Sequence, residues 1–375
     1  AMIGVGSAIR FVIERGKKNP DADGYFFHAL ICAFFISLIF VFIGIFLPDK
    51  LVALLGGDAE IIQTGTSYTR IFMWNHICNA FVRNDKNPSI AMAATLFSSL
   101  FNIVFDYILM FPLGLAMKGA ALATGFSPVV GILICCIHFF SRKSTIKLIP
   151  VLPSIKKLIY SCQVGVSAFV GEISSGVITV TFNMIILNLA GNTGVAAYGV
   201  VANTSLVAVA LFNGIAQGSQ PLISRSYGRG EEQNVRSLLK MALTTALGLG
   251  FLLMIFIFFS APAVTAVFNS EHDLQLAAYA DSGLRLYFIG FLFAGINIVG
   301  TAALSAVESV KYAFCASISR GFVATIFFAF VLSACFKMTG IWLAFPAAEF
   351  ATMFITLSGL LCFTKQKGGM YHAKD

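Results

Sequence analysis

Apolar runs as long as a bilayer is thick recur along this chain, and no other feature restricts its fold as tightly. A helix needs about 20 mostly apolar residues to cross the hydrocarbon core. Runs of that order fall at 25–47, 64–82, 89–111, 118–140, 159–189, 195–221, 237–259, 282–307, 312–335 and 340–363, with a shorter one at 1–13. A strand of a transmembrane barrel needs only ~10 residues of alternating polarity, so these runs predict helices. Of 375 residues, 58% are hydrophobic and 11% charged, against about 25% charged in a soluble domain. The expected fold is an all-α polytopic membrane protein.

The net charge of +8 would suit a nucleic-acid partner, but its placement reads as topology. With the basic loop after Phe140 (Arg142, Lys143, Lys147, Lys156, Lys157) assigned to the cytoplasm, simple alternation puts most other cations inside as well. These are Arg15–Lys18, Arg83–Lys86, Arg225–Lys240, Lys311–Arg320 and Lys365–Lys374. The exceptions among the 25 Lys and Arg are Lys50, Arg70, Lys118, Arg285 and Lys337. This is the positive-inside bias, and it predicts a multi-pass protein of the cell membrane with a cytoplasmic C-terminus and no nucleic-acid partner. The eight cysteines are scattered through apolar runs with no CxxC or Cys/His spacing for a metal or redox site. No glycine-rich nucleotide loop follows a predicted strand, so ATP-driven pumping has no support. No cofactor and no enzymatic activity are expected.

The chain repeats itself weakly. Gly6, Ser7 and Gly16 match Gly218, Ser219 and Gly228; Arg70-Ile71-Phe72 resembles Arg285-Leu286-Tyr287; Gly119, Leu122 and Ala123 match Gly340, Leu343 and Ala344. The matches keep chain order, as internal repeats of transporters do. An even number of spans separates 1–13 from its counterpart at 195–221, which predicts two parallel six-helix lobes related by an axis along the membrane normal. On this reading the chain is an N-terminally truncated twelve-helix protein, lacking the first helix and most of the second. The N-terminal lobe is 1–140, a basic cytoplasmic linker stiffened by Pro150 and Pro153 is 141–158, the C-terminal lobe is 159–364 and the tail is 365–375. A short amphipathic helix at 154–160 fits the linker. The repeat offset grows by about six residues between Arg70 and Pro88, which would shorten the helix near 64–82 by ~9 Å at 1.5 Å per residue. That run also holds Trp74, Asn75, His76 and Asn79, so it reads as a short or irregular helix or a deletion.

Asp106 is the only charge between Pro88 and Lys118, and an intramembrane carboxylate marks an ion or proton pathway by default. Asn102 lies one turn before it on the same face, and Thr124 follows one helix later. Carboxylate, amide and hydroxyl are hard oxygen ligands suited to Na⁺; a buried carboxylate alone can instead exchange protons. The competing reading is an Asp near the outer interface, close to Pro112, that is merely solvated. Glu172 and Glu349 are each the only charge in their own apolar runs, and each reads as a cavity residue or a satisfied interhelical hydrogen bond, Glu349 three residues past an expected kink at Pro346. Asn203, Asn213, Gln217 and Gln220 fall within an arc of roughly 100° on one helix, either helix–helix glue or a cavity lining beside the helix of Glu172.

At these residues the chain resembles the multidrug and toxic compound extrusion (MATE) family, in its bacterial branch. The resemblance runs through Phe81-Val82-Arg83-Asn84-Asp85 with Asn87-Pro88, Asn102-Ile103-Val104-Phe105-Asp106-Tyr107 and Gly171-Glu172-Ile173-Ser174-Ser175-Gly176. It is most specific in Phe212-Asn213-Gly214-Ile215-Ala216-Gln217-Gly218 and on through Gln220-Pro221-Leu222-Ile223-Ser224. It implies two parallel lobes around a central cavity and export of hydrophobic or cationic drugs in exchange for Na⁺ or H⁺, by alternating access; the protein is expected to be a monomer. It also implies a cation site at Asn102, Asp106 and Thr124, with a further Asp on the first helix, in the part absent here. Glu172 matches an acidic position on the seventh helix. Asn297 stands where some members carry an Asp on the tenth, which sets a C-lobe cation site in question. Two other readings stay open, a lipid or glycolipid flippase of the same superfamily and a transport-inactive fragment.

Overall fold

The computed structural model describes residues 2–46, 88–140, 154–269 and 272–368. Its helices are α1 (Met2–Gly16), α2 (Asp23–Phe46), α3 (Pro88–Met110), α4 (Ala116–Phe140), α5 (Ile155–Gly228), α6 (Glu232–Phe268), α7 (Leu274–Tyr287), α8 (Phe291–Ala306), α9 (Val310–Ile318) and α10 (Ala324–Gly368). Short 3₁₀ turns precede α2 and α8, and a π-helical turn (Ser319–Val323) joins α9 to α10. No strand occurs among the described residues, and the fold is all-α. Six segments among them are long and apolar enough to cross a membrane: Ser89–Met110, Lys118–Ile137, Ile155–Gly228, Glu232–Phe268, Leu274–Ala306 and Val310–Thr364.

Two of those segments are hairpins in disguise. At Gly191 (φ 62, ψ −157) and Lys337 (φ 50, ψ −127) the backbone leaves the helical region inside α5 and α10. Only a residue without a Cβ enters such a conformation freely, which accounts for Gly191 and leaves Lys337 strained. In a straight helix Phe182 and Tyr198 would stand ~24 Å apart, yet their rings stack with centroids at 5.3 Å. The chain therefore doubles back at Gly191, and the sequence gaps at 190–194 and 336–339 shrink to single-residue reversals. The helix continues through Pro346, with its break at Lys337 instead. Likewise 155–160 are the opening turns of α5 and not a separate linker helix.

The chain divides into two compact units, the first ending at Cys162 and the second beginning at Gln163. In the first, α1 and α2 bury Ala8, Phe11, Val12, Tyr25, Phe26 and Ala29 against one another. Arg15 donates to Asp23 at 2.9 Å across the turn between them. The helices α3 and α4 form a second pair around Ala91, Ala94 and Cys135. The core of the second unit is aromatic: Tyr287 stacks on Phe345 at 4.2 Å, and Phe212, Phe291 and Trp342 are almost wholly buried around them. Large apolar side chains such as Ile103, Phe251, Phe259 and Phe354 stay exposed, as lipid contact requires. The expected helix near 64–82, the motif residues 81–87, the linker prolines Pro150 and Pro153 and the tail beyond Gly368 lie outside the described residues.

Candidate functional site

In the first unit a polar seam runs where α3 meets α4. Thr95 and Ser98 begin it, the Ser98 hydroxyl donating to the carbonyl of Ser127 on α4 at 2.6 Å. One turn on, Asn102 Nδ2 donates to Thr124 Oγ1 at 3.4 Å, and Ser127 Oγ returns to the Thr124 carbonyl at 3.3 Å. The structure thus joins Asn102 to Thr124 directly. Asp106 follows one turn further along α3 and is half-buried. Its Oδ1 is shut off from solvent and has no hydrogen-bond partner among the described residues.

An unpaired buried carboxylate oxygen is costly, and its negative charge is what a cation would neutralise. The donor set fits one: carboxylate and hydroxyl oxygens, with the carbonyl oxygen of Asn102 left over once its amide nitrogen has turned to Thr124. The seam residues Ser98 and Ser127 escape a reading of the sequence, because a serine inside an apolar helix ordinarily bonds its own backbone. Here one of them crosses between helices.

The sequence-selected residues of the second unit fall into two groups. Glu172 is exposed on the limb 155–190 and makes no hydrogen bond or ion pair among the described residues. Asn203, Asn213 and Gln217 are exposed on the limb 192–228. Asn203 Nδ2 bonds back to the Gly199 carbonyl at 2.8 Å. Gln220, half-buried, reaches the carbonyl of Ala302 on α8 at 3.5 Å.

Asn297 and Glu349, 0% and 2% exposed, form the second group. Asn297 Nδ2 on α8 donates to Glu349 Oε2 at 2.7 Å and to the Glu349 carbonyl at 2.8 Å. Thr356 Oγ1 donates to Asn297 Oδ1 at 2.8 Å. Arg320, on the π-turn, closes the network with Nε and Nη2 on Glu349 Oε1 at 3.0 and 2.7 Å. In the sequence Arg320 counts among the cytoplasmic cations, so its buried partner came from the fold. These two residues therefore sit buried in an interhelical network.

Several helices long and apolar enough to cross a bilayer, one of them carrying a half-buried carboxylate, mark a multi-pass membrane protein with a candidate ion pathway. The family model MatE matches residues 1–108 and 168–331, and the chain belongs to that family, the MATE transporters. Its relatives include "Multidrug export protein MepA" of Staphylococcus saprophyticus, 26% identical over 84% of this chain and 70% of the relative. The protein of the same name from Staphylococcus haemolyticus is 24% identical over 95% and 81%. Among solved structures, an outward-facing "multidrug resistance MATE family transporter of the MOP superfamily" superposes with a TM-score of 0.90 at 20% identity, covering 98% of this chain and 84% of that one. A MOP superfamily transporter from Pyrococcus furiosus does so at 0.87 and 21%, covering 97% and 83%. At those identities the structures speak for the fold alone.

Proposed function

We propose that the protein is a cation-coupled antiporter that exports small hydrophobic or cationic organic molecules across the cell membrane by alternating access. The observation that carries this reading is the buried Oδ1 of Asp106, unpartnered among the described residues, one turn from the Asn102–Thr124 pair. A cation arriving there, Na⁺ or H⁺, neutralises a carboxylate that is otherwise stranded in a low-dielectric setting. Coupling needs only that the ion bind one conformation better than the other, since a ligand shifts a two-state equilibrium by its differential affinity. Export of drugs is supported by the names of the relatives. The acting species is read as a monomer, with the exposed Glu172 and the Asn203, Asn213 and Gln217 stripe as candidate substrate contacts.

The test is efflux of ethidium from cells expressing the full-length gene product. Asp106→Asn should abolish coupled efflux while the protein still reaches the membrane in normal amount; wild-type efflux by that variant would sink the assignment. Repeating the assay with and without Na⁺ at fixed pH separates the two coupling ions.

A further inference from the structure

We propose that Arg320 is the tethered cation of a second ion site, its guanidinium permanently filling the place beside Glu349 that a mobile coupling ion would take. The inference rests on reading Asp106 as the exchanging site, because it starts from a match in chemistry. Asp106 supplies a carboxylate one turn along α3 from a carboxamide (Asn102) that is bonded to a threonine hydroxyl (Thr124). Around Glu349 stand the same three groups, with Asn297 and Thr356 in place of Asn102 and Thr124.

The two sets differ in what occupies them. The Oδ1 of Asp106 is buried and has no partner among the described residues. At Glu349, Oε1 accepts both Nε and Nη2 of Arg320, Oε2 accepts Asn297 Nδ2, and Asn297 Oδ1 accepts the Thr356 hydroxyl. Every one of these oxygens is engaged. A guanidinium cannot lose its proton in a protein and cannot diffuse, so it neutralises Glu349 in every conformation that keeps the pair.

The backbone is arranged to bring it there. Arg320 sits in the π-turn Ser319–Val323, and such turns are frequent at functional sites. Ser319 Oγ and Thr352 Oγ1, 2.9 Å apart, tie that turn to the limb that carries Glu349. The consequence is that the Glu349 site contributes a fixed charge and takes up no exchanging ion.

The experiment counts coupling ions on the purified full-length protein, as Na⁺ bound at equilibrium and as protons released on titration. The variants are Glu349→Gln, Arg320→Gln, Arg320→Gln/Glu349→Gln and Asp106→Asn. Glu349→Gln and the charge-neutral double variant should bind the same number of ions per chain as wild type. Arg320→Gln alone should gain one ion, because it uncovers the carboxylate of Glu349, and lose it again in the double variant. A double variant that binds one ion fewer than wild type would overturn the proposal, as would a folded Arg320→Gln that gains none. Should Arg320→Gln fail to fold, the double variant decides alone. Asp106→Asn should lose an ion; wild-type binding by that variant refutes the reading of Asp106 and leaves the count at Glu349 standing.

Discussion

Thr124 is the residue on which the proposed cation site can be dissected most finely, because its hydroxyl accepts the hydrogen bond that Asn102 donates across to α4. Thr124→Val keeps the shape and removes the oxygen, so the concentration of coupling cation that half-activates efflux should rise by roughly 10- to 100-fold, the usual loss when a supporting group of an ion site is removed. Thr124→Ser keeps the oxygen and should stay close to wild type. A Val variant with wild-type ion dependence would exclude the hydroxyl from the site. This much was legible in the sequence: a lone carboxylate in an apolar run stands out, and i, i+4 spacing brings Asn102 to its face. The pairing of Arg320 with Glu349 was not legible. Both residues are visible, but one belongs to the cations that report topology and the other to a separate helix, and only the tertiary fold makes them partners.

At the scale of the element, two single residues carry the reversals that split α5 and α10. Gly191→Ala should destabilise by about 1–3 kcal/mol, the cost of holding a side chain in a glycine-only conformation. No atom lies within 4 Å of the Cβ that would be added, so the loss measures backbone strain alone. Lys337→Gly should shift stability the other way by relieving the same strain. Thermal unfolding in one detergent compares all of these variants. The apolar runs announced both hairpins, but their turn geometry depends on one φ angle each, which hydropathy does not encode.

Breaking the buried network between helices should cost more: Arg320→Ala about 3 kcal/mol, the lower end of the range for a buried pair that loses one partner, because Arg320 is still 24% exposed. Arg320→Gln/Glu349→Gln should recover most of it. The hairpin of α1 and α2 adds a pH term. Burial tends to raise the Glu14 carboxyl, but hydrogen bonds from Asn19 and Lys17 and the charges of Lys17 and Arg10 outweigh it and hold it below the usual glutamate range. A lowered folded value contributes stability above about 4.3, the unfolded value, and that contribution is lost as pH falls through the folded one. Glu14→Gln should therefore lower the unfolding temperature at pH 7 and make little difference well below pH 4.

For the whole molecule, the distribution of charge argues for an orientation. Anionic lipids and the membrane potential favour Lys and Arg on the cytoplasmic side of short loops. In this chain Arg15, Lys17, Lys156, Lys157, Arg225, Arg229, Arg236 and Lys240 all fall on one side of the alternation. The hairpin reversals preserve that alternation, because each turns the chain around once, as a loop would. On that alternation Gly191 and Lys337 are expected on the outer side and the end of α10 inside. A green fluorescent protein fused after residue 375 folds only in the cytoplasm of a bacterial cell, whereas an exported alkaline phosphatase is active only outside. The first fusion should fluoresce and the second should be inactive. Fusions placed at Gly191 or Lys337 should behave in the opposite way. The reverse result at the C-terminus would invert every loop, turn the basic segments outward and remove the electrostatic basis for this orientation.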